Sequence, residues 1–401
     1  MQHPVTKTLV KFMNKELTTV MQHMKPVEFS NISIHFLEKI FRNMKLAQTM
    51  WLRSSLKYSI VKKLERGKNH DVIPAFARDE IENIMWNKKG SGFHCKFSIF
   101  ERDIDIYMFG SNMTRDFFEI AVKRIYLWLY VAFIYSPDHC SRQLKCYIYL
   151  TDLCKKMPAK GEPIGTVNAN TAFTTTCREH TEINIFRHEE WFKVLIHESF
   201  HCLGLDFSTL DTTNANNEIL TMFPVESVVN LSETYCEVFA ELLNVMFIVF
   251  YSFDNMDKMK VLIDKTGNLL NYETLFSSFQ CCKVLNHYDM TYDDLINNNG
   301  TEKYEERTNV LSYYIIKNVL FYHIDEFVKW CSKNNDKKGI SFNGEKGLVK
   351  YCGLIGEHYK NKDFTDVLNV LDDWFRNGNM KDEKNENDVF VMKTMRMSMI
   401  E

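Results

Sequence analysis

Apolar positions recur at three- and four-residue spacing through the first part of the chain. Phe36, Leu37, Ile40, Phe41 and Met44 form one stripe, and Trp51, Leu52, Leu56, Ile60 and Leu64 form another, so amphipathic helices are predicted. Lys45, Arg53, Lys57, Lys62, Lys63 and Arg66 fill polar positions between them and read as a solvated face. Gly67–His70 breaks the pattern, and Lys88–Gly92 breaks it again. Beyond that point the period changes. Phe97–Phe100 and Ile104–Tyr107 read as short strands, Asp116–Tyr135 as an apolar helix, and Leu144–Leu150 alternates as a half-buried strand does. After a loop carrying Pro158, Gly161, Pro163 and Gly165, Thr166–Cys177 and Glu182–Arg187 are further strand candidates. From Glu189 the chain is expected to be helical, with breaks near 214–217, 265–268 and 297–300.

Helices, then a small sheet, then helices predict an α+β fold. The sheet is expected to be mixed or antiparallel, with an edge strand packed on a central helix. The expected segments are a helical region over 1–92, a core over 93–255, a helical region over 256–378 and a polar, mobile tail over 379–401. Within that tail, Val389–Ile400 has the pattern of a short helix.

Composition narrows the class. Apolar residues at 45% and aromatics at 13% of 401 residues exclude a disordered chain. With 49 basic and 52 acidic residues well mixed and a net charge of −3, a nucleic-acid partner is not expected. The longest apolar runs, Ile125–Tyr135 and Leu242–Phe253, are shorter than the ~20 residues a bilayer span needs, so no membrane span is expected. The start of the chain lacks a secretory pattern, and the 11 cysteines contain no CxxC. A cytoplasmic protein with reduced, mostly buried thiols is the expectation.

One segment carries chemistry. Lys193–Gly204 contains His197-Glu198-Ser199-Phe200-His201, a His-Glu-x-x-His pattern on a stretch of helical character. Residues four apart share a helix face, so His197 and His201 can offer imidazole nitrogens to one metal ion. Zinc favours such ligands, and Glu198, one residue round, can act as general base for water activated by the metal. No other charge lies between Val194 and Leu205, and Gly204 is placed to end the helix.

On these residues the chain resembles the zincin metallopeptidases. Val194, Leu195, Ser199, Phe200, Cys202 and Leu203 match the uncharged positions of the wider zincin pattern. The resemblance spans about residues 144–250 in architecture and about 25 residues in motif. It implies one Zn2+, a third protein ligand and an open position for water. In the metzincin branch that ligand would fall at Phe207, which cannot bind zinc; Asp206 lies one position early, and Met222 in Thr221–Pro224 resembles the Met-turn. In the gluzincin, thermolysin-type branch a Glu from a second helix is the ligand. Leu231–Leu243 offers Glu233 as ligand, Glu237 as hydrogen-bond acceptor for a zinc histidine, and Glu241 as a weaker alternative ligand, with Ser232 as N-cap. The resemblance also implies a substrate-binding edge strand. Asn168–Thr174 fits, with Asn170, Ala172 and Phe173 resembling the thermolysin-type Asn-Ala-Phe. A Tyr or His donor for the oxyanion is implied too: Tyr313 or Tyr314 is favoured, with His287 and His323 as other candidates.

The implied activity is zinc-dependent hydrolysis of peptide bonds, most simply by an endopeptidase; no Gly-x-Met-x-Asn segment marks an aminopeptidase. A peptide or protein is the implied substrate. The alternative is a zinc-containing structural or interaction protein with an inactive site, such as a viral assembly component. The Asn- and Lys-rich chain resembles uncharacterised His-Glu-x-x-His proteins of large DNA viruses, which would place it in host cytoplasm or virion.

Overall fold

A computed structural model describes residues 3–54, 56–61, 73–86, 90–111, 113–252, 258–337, 339–377 and 385–401. The expected break at Gly67–His70 and part of that at Lys88–Gly92 lie outside these residues.

The fold is α+β, a mixed six-stranded sheet set among helices. Helices α1 (Pro4–Glu16), α2 (Thr18–His23) and α3 (Asn31–Arg53) come first, followed by β1 (Lys57–Val61), α4 (Ala75–Trp86), β2 (Gly90–Ile99), β3 (Arg102–Ser111), α5 (Arg115–Phe133) and β4 (Gln143–Leu150). Then come β5 (Ile164–Gly165), α6 (Thr166–Ala169), β6 (Ala172–Thr174) and β7 (His180–Ile185). The sheet order is β1-β2-β3-β4-β7-β6: β3, β4 and β7 run parallel, while β6 lies antiparallel to β7 at the edge. Side-chain alternation divides its two faces. Ile104, Ile106, Leu144, Cys146, Ile148, Ile183 and Ile185 join the main core, whereas Phe109, Tyr149 and Phe186 meet Ile73, Ala77, Ile81 and Ile84 beneath α4.

The remaining chain is mainly helical: α7 (Trp191–Cys202), α8 (Thr213–Met222), α9 (Leu231–Tyr251), α10 (Met259–His287) and α11 (Tyr292–Ile296). A short strand, β8 (Glu306–Arg307), and a π-helical turn (Leu311–Ile316) lead to α12 (Lys317–Tyr322), α13 (Ile324–Asn334), α14 (Gly344–His358), α15 (Lys362–Arg376) and α16 (Glu386–Lys393). Among the described residues, α9 is one helix long and apolar enough to cross a membrane, and 89% of its apolar window is buried inside the protein. Its length exceeds that of the apolar run read at Leu242–Phe253, because the helix begins eleven residues earlier, at Leu231.

Several expectations change. Leu56 and Ile60 are not helical; α3 ends at Arg53 and 57–61 is a strand paired with β2. Leu56, Tyr58 and Ile60 also fit a two-residue period, and pairing with β2 decides between the two patterns. Thr166–Cys177 is not one strand, because Thr166–Ala169 forms a helical turn and only Ala172–Thr174 pairs. One apolar cluster runs from Leu9 to Ile400, and β2 spans the expected cut at 92.

The expected mobile tail is also corrected: residues 378–384 lie outside the description, but Val391, Met395, Met397, Met399 and Ile400 are buried. Nine cysteines are free, eight of them buried, whereas Cys140 and Cys177 form a disulfide instead of remaining reduced.

Phe239 on α9 joins several of these layers. It is fully buried, stacks on Phe200 of α7 and packs edge-on against Phe327 of α13. Phe239→Ala is expected to cost about 3–5 kcal/mol, the usual loss for an aromatic in a rigid core. Urea unfolding checks this, and a loss below about 1 kcal/mol would contradict the packing.

Candidate metal centre

Helix α7 is buried along its whole length. Behind it, the Trp128 indole of α5 donates to Ser199 Oγ at 2.7 Å. Gly204 ends the helix with φ +63°: its N–H bonds to His201 O (3.2 Å), and the N–H of Leu205 bonds to Phe200 O (2.9 Å). That pair of bonds needs a left-handed residue, as expected of this glycine. Helix α9 lies across α7. Its N-cap is Asn230 rather than Ser232, whose hydroxyl instead donates to Asn230 Oδ1 at 2.8 Å.

The two helices bring His197, His201 and Glu233 together, with one donor atom from each within 4.8 Å of the others. Glu233 Oε2 lies 2.9 Å from His197 Nε2 and 3.5 Å from His201 Nε2. The opposite nitrogens are held from behind. His197 Nδ1 bonds to Glu237 Oε2 at 2.8 Å, and His201 Nδ1 to Asp206 Oδ2 at 2.5 Å. Each carboxylate accepts from an Nδ1–H, so both Nε2 atoms are directed at one point, as histidines backed by carboxylates are at metal centres.

Asp206 therefore supports His201 from the far side of the ring and is not a third ligand beside the two Nε2 atoms. With Cys236 and His201 it forms a second group of possible ligand atoms, on the other nitrogen of that ring. Glu241 is not near the pair: it takes an ion pair from Lys317 at 2.8 Å. The acidic stripe of α9 thus serves three partners: Glu233 faces the imidazoles, Glu237 faces His197 and Lys193, and Glu241 faces Lys317.

Charge explains why such a stripe is tolerated. Burial disfavours the charged His197 ring, but its hydrogen bonds to Glu233 and Glu237 outweigh this and hold its pKa at about 9. Burial works the same way on His201, and the Cys236, Glu233 and Asp206 side chains around it push its pKa well up. Glu233 is held well below the carboxylate range against its burial, chiefly by His201 and His197. The field of this site thus favours positive charge at the two Nε2 atoms, and a divalent cation satisfies the same field by replacing their protons. Two imidazole nitrogens and a carboxylate oxygen within 4.8 Å of one another could hold a metal ion, and zinc is among the cations that take such donors.

Comparison with protein-family models, with curated proteins and with solved structures finds no match.

Glu198 lines a cleft of about 40 Å³ with His197, Ala172, Asn170, Tyr313 and Met397. Among the described residues its carboxylate has no hydrogen-bond partner, and burial raises its pKa against the pull of the two imidazoles. Tyr313 donates to Glu233 Oε2 at 3.0 Å, while Tyr314 donates to Met395 O at 2.5 Å and belongs to the packing of the C-terminal segment. Consecutive helical residues point in different directions, which separates these two tyrosines. His287 bonds Glu162 O at 2.8 Å and His323 stacks on His358, so neither is at the centre.

Ala172 faces the cleft, and Phe173 packs on the opposite face of the sheet with the Tyr149 and Phe186 cluster. Asn170 precedes the strand: its carbonyl accepts from Arg187 Nε at 2.9 Å, and its side chain from Thr308 at 2.7 Å. The edge strand is shorter than expected, since Asn168 belongs to α6.

Sequence reading missed Lys193. Fully buried one turn before His197, it donates to Glu237 Oε1 at 2.5 Å, and nearby Glu237, Glu190 and Glu241 raise its pKa against burial. It also missed Glu190 and the segment around Met397. A lysine and a glutamate beside an apolar helix were the available signal, but their partners lie far away in sequence.

Proposed function

We propose that this protein is a zinc-dependent metallopeptidase, a hydrolase of the gluzincin-like kind, acting on peptide or protein substrates. The observation that carries the reading is the convergence of His197 Nε2, His201 Nε2 and Glu233 beside the carboxylate of Glu198. When bound, Zn2+ supplies a Lewis acid that polarises a carbonyl and lowers the pKa of water. His197, His201 and Glu233 hold it; Glu237 and Asp206 fix the two rings. Glu198 takes a proton from the attacking water and passes it to the leaving amine. Burial pushes the Tyr313 hydroxyl well above its ordinary pKa, so it stays protonated; turned from Glu233 to the substrate, its one O–H donates to the developing oxyanion. An extended substrate chain pairs along β6, the antiparallel edge of the sheet.

A second reading is a structural or interaction protein with a metal centre that does not hydrolyse peptides; the space of about 40 Å³ beside the imidazoles holds a few water molecules and does not by itself mark a substrate pocket.

Metal analysis tests the centre itself. Purified protein is expected to carry zinc at this site, and His197→Ala or Glu233→Ala should lower its affinity by at least a hundredfold, while Glu241→Gln should leave it bound. Retention of zinc by Glu233→Ala with loss in Asp206→Ala would instead make the aspartate the ligand.

A further inference from the structure

A second cluster of metal-ligating side chains lies at the far end of α7. Cys140, in the loop between α5 and β4, and Cys177, in the turn between β6 and β7, are joined as a disulfide with Cα atoms 4.9 Å apart. His139 Nε2 lies 3.7 Å from Cys140 Sγ and 3.4 Å from Cys177 Sγ. Cys140 is buried, Cys177 is half-buried and His139 is exposed.

The spacing is informative. A tetrahedral zinc ion, with Zn–S about 2.3 Å and Zn–N about 2.0 Å, sets nitrogen and sulfur ligands about 3.5 Å apart and two sulfurs about 3.8 Å apart. The imidazole already stands at that distance from both sulfurs, so only the sulfur–sulfur separation must open once the disulfide is reduced. We infer that His139, Cys140 and Cys177 form a second, redox-gated site for a thiophilic divalent cation of the zinc class. The exposed His139 leaves the fourth position to solvent or to an added ligand.

The balance of the switch is simple. A dithiol reductant delivers two electrons and two protons to the Cys140–Cys177 bond and leaves as its own cyclic disulfide. Cation binding to the resulting pair releases the thiol protons. In the reverse direction a disulfide oxidant takes two electrons from the two thiolates, leaves as its own pair of thiols, and so expels the cation and restores the bond.

The site bears on α7 directly. A Cβ at Gly204 would stand 2.9 Å from Cys140 Sγ and 3.4 Å from Cys177 Sγ, so both sulfurs rest on the residue that ends the helix. The same loop caps that end, with Ser141 Oγ donating to Cys202 O and Ser136 Oγ to Leu203 O, each at 2.8 Å. Bond or cation alike clamps the end of α7 just beyond His201. This inference does not depend on the peptidase reading, because it uses none of the residues at the first centre.

Zinc titration of the full chain after dithiol reduction, compared with the oxidised form, tests it. The reduced protein is expected to bind one equivalent more than the oxidised protein, whatever the first centre contributes. Cobalt substitution should give a thiolate-to-cobalt charge-transfer band in the reduced form alone, lost in Cys177→Ser. His139→Ala, at an exposed position, is expected to weaken the extra equivalent at least tenfold without altering the fold. Equal stoichiometry in the two redox states, or an extra equivalent and charge-transfer band that survive both Cys177→Ser and His139→Ala, would overturn the site and leave an ordinary disulfide.

Discussion

Glu198→Gln is expected to lower kcat/KM for peptide hydrolysis by at least 10²–10⁴, the usual range for loss of a positioned general base, while zinc content and stability stay at wild-type values. The amide has nearly the shape of the carboxylate, and among the described residues Glu198 has no hydrogen-bond partner to lose. Its burial raises its pKa against the pull of the two imidazoles, so the desolvation cost of the charge outweighs that attraction and a neutral group in its place should not lower stability. The loss should appear in kcat with little change in KM, because the substituted side chain still fills the same side of the cleft. Hydrolysis of a mixed peptide library, with metal content measured on the same samples, is the check. Unchanged turnover in the zinc-loaded variant would end the peptidase reading and favour the non-hydrolytic one. Loss of zinc together with activity would show that Glu198 belongs to the ligand set.

A large stability effect is expected at Glu190. Its Oε1 accepts from Met397 N (3.0 Å), Ser398 N (2.7 Å) and Ser398 Oγ (2.8 Å), and its Oε2 pairs with Lys155 Nζ at 2.7 Å. Lys193 Nζ stands 3.8 Å away, and Glu190, Lys155 and Lys193 are all buried. Glu190→Ala would leave two lysines and two backbone amides without this acceptor. Breaking a buried charge pair costs about 3–5 kcal/mol, so the variant should unfold at clearly lower urea concentration or fail to accumulate. Glu190→Gln should lose less, because its amide oxygen still accepts from the 397–398 backbone. A loss under about 1 kcal/mol in Glu190→Ala would mean that the C-terminal segment is not anchored there.

The same group gives the sign of the acid dependence. Burial alone would raise the Glu190 pKa, but Lys155, Lys193 and Arg396 hold it well below the ordinary value. A depressed folded-state pKa contributes stability that is present above the unfolded value, about 4.3, and is lost as pH falls through the folded pKa. Glu273 acts in the opposite direction. Burial raises it to about 7 although it accepts from the amides of Met399 and Ile400, so its charging costs stability as pH rises from about 4.3 towards 7. Wild type should therefore lose more stability than Glu190→Gln on acidification.

Local pattern carried a large share of the candidate metal centre. The four-residue spacing of His197 and His201 and that of Glu233 and Glu237 are properties of a helix turn, and helix geometry alone places each pair on one face. The α+β class followed from the change of period near residue 93 and back near 189. Gly204 as the end of α7 was legible because a left-handed residue is needed there.

What local pattern left open was decided by packing between distant segments. Glu233, Asp206 and Glu241 are all carboxylates near the motif, and only the crossing of α9 over α7 puts the first at the Nε2 atoms, the second behind His201 and the third on Lys317. Tyr313 and Tyr314 are adjacent and chemically equal in sequence, yet one reaches Glu233 and the other Met395. A polar-looking end of the chain became core because Glu190, Glu273, Gln280 and Lys283 reach its backbone from positions up to 208 residues away. Helical and strand periods are set by neighbouring residues and can be read along the chain. The partner of a buried charge is set by which elements meet in space, and that is a property of the folded molecule alone.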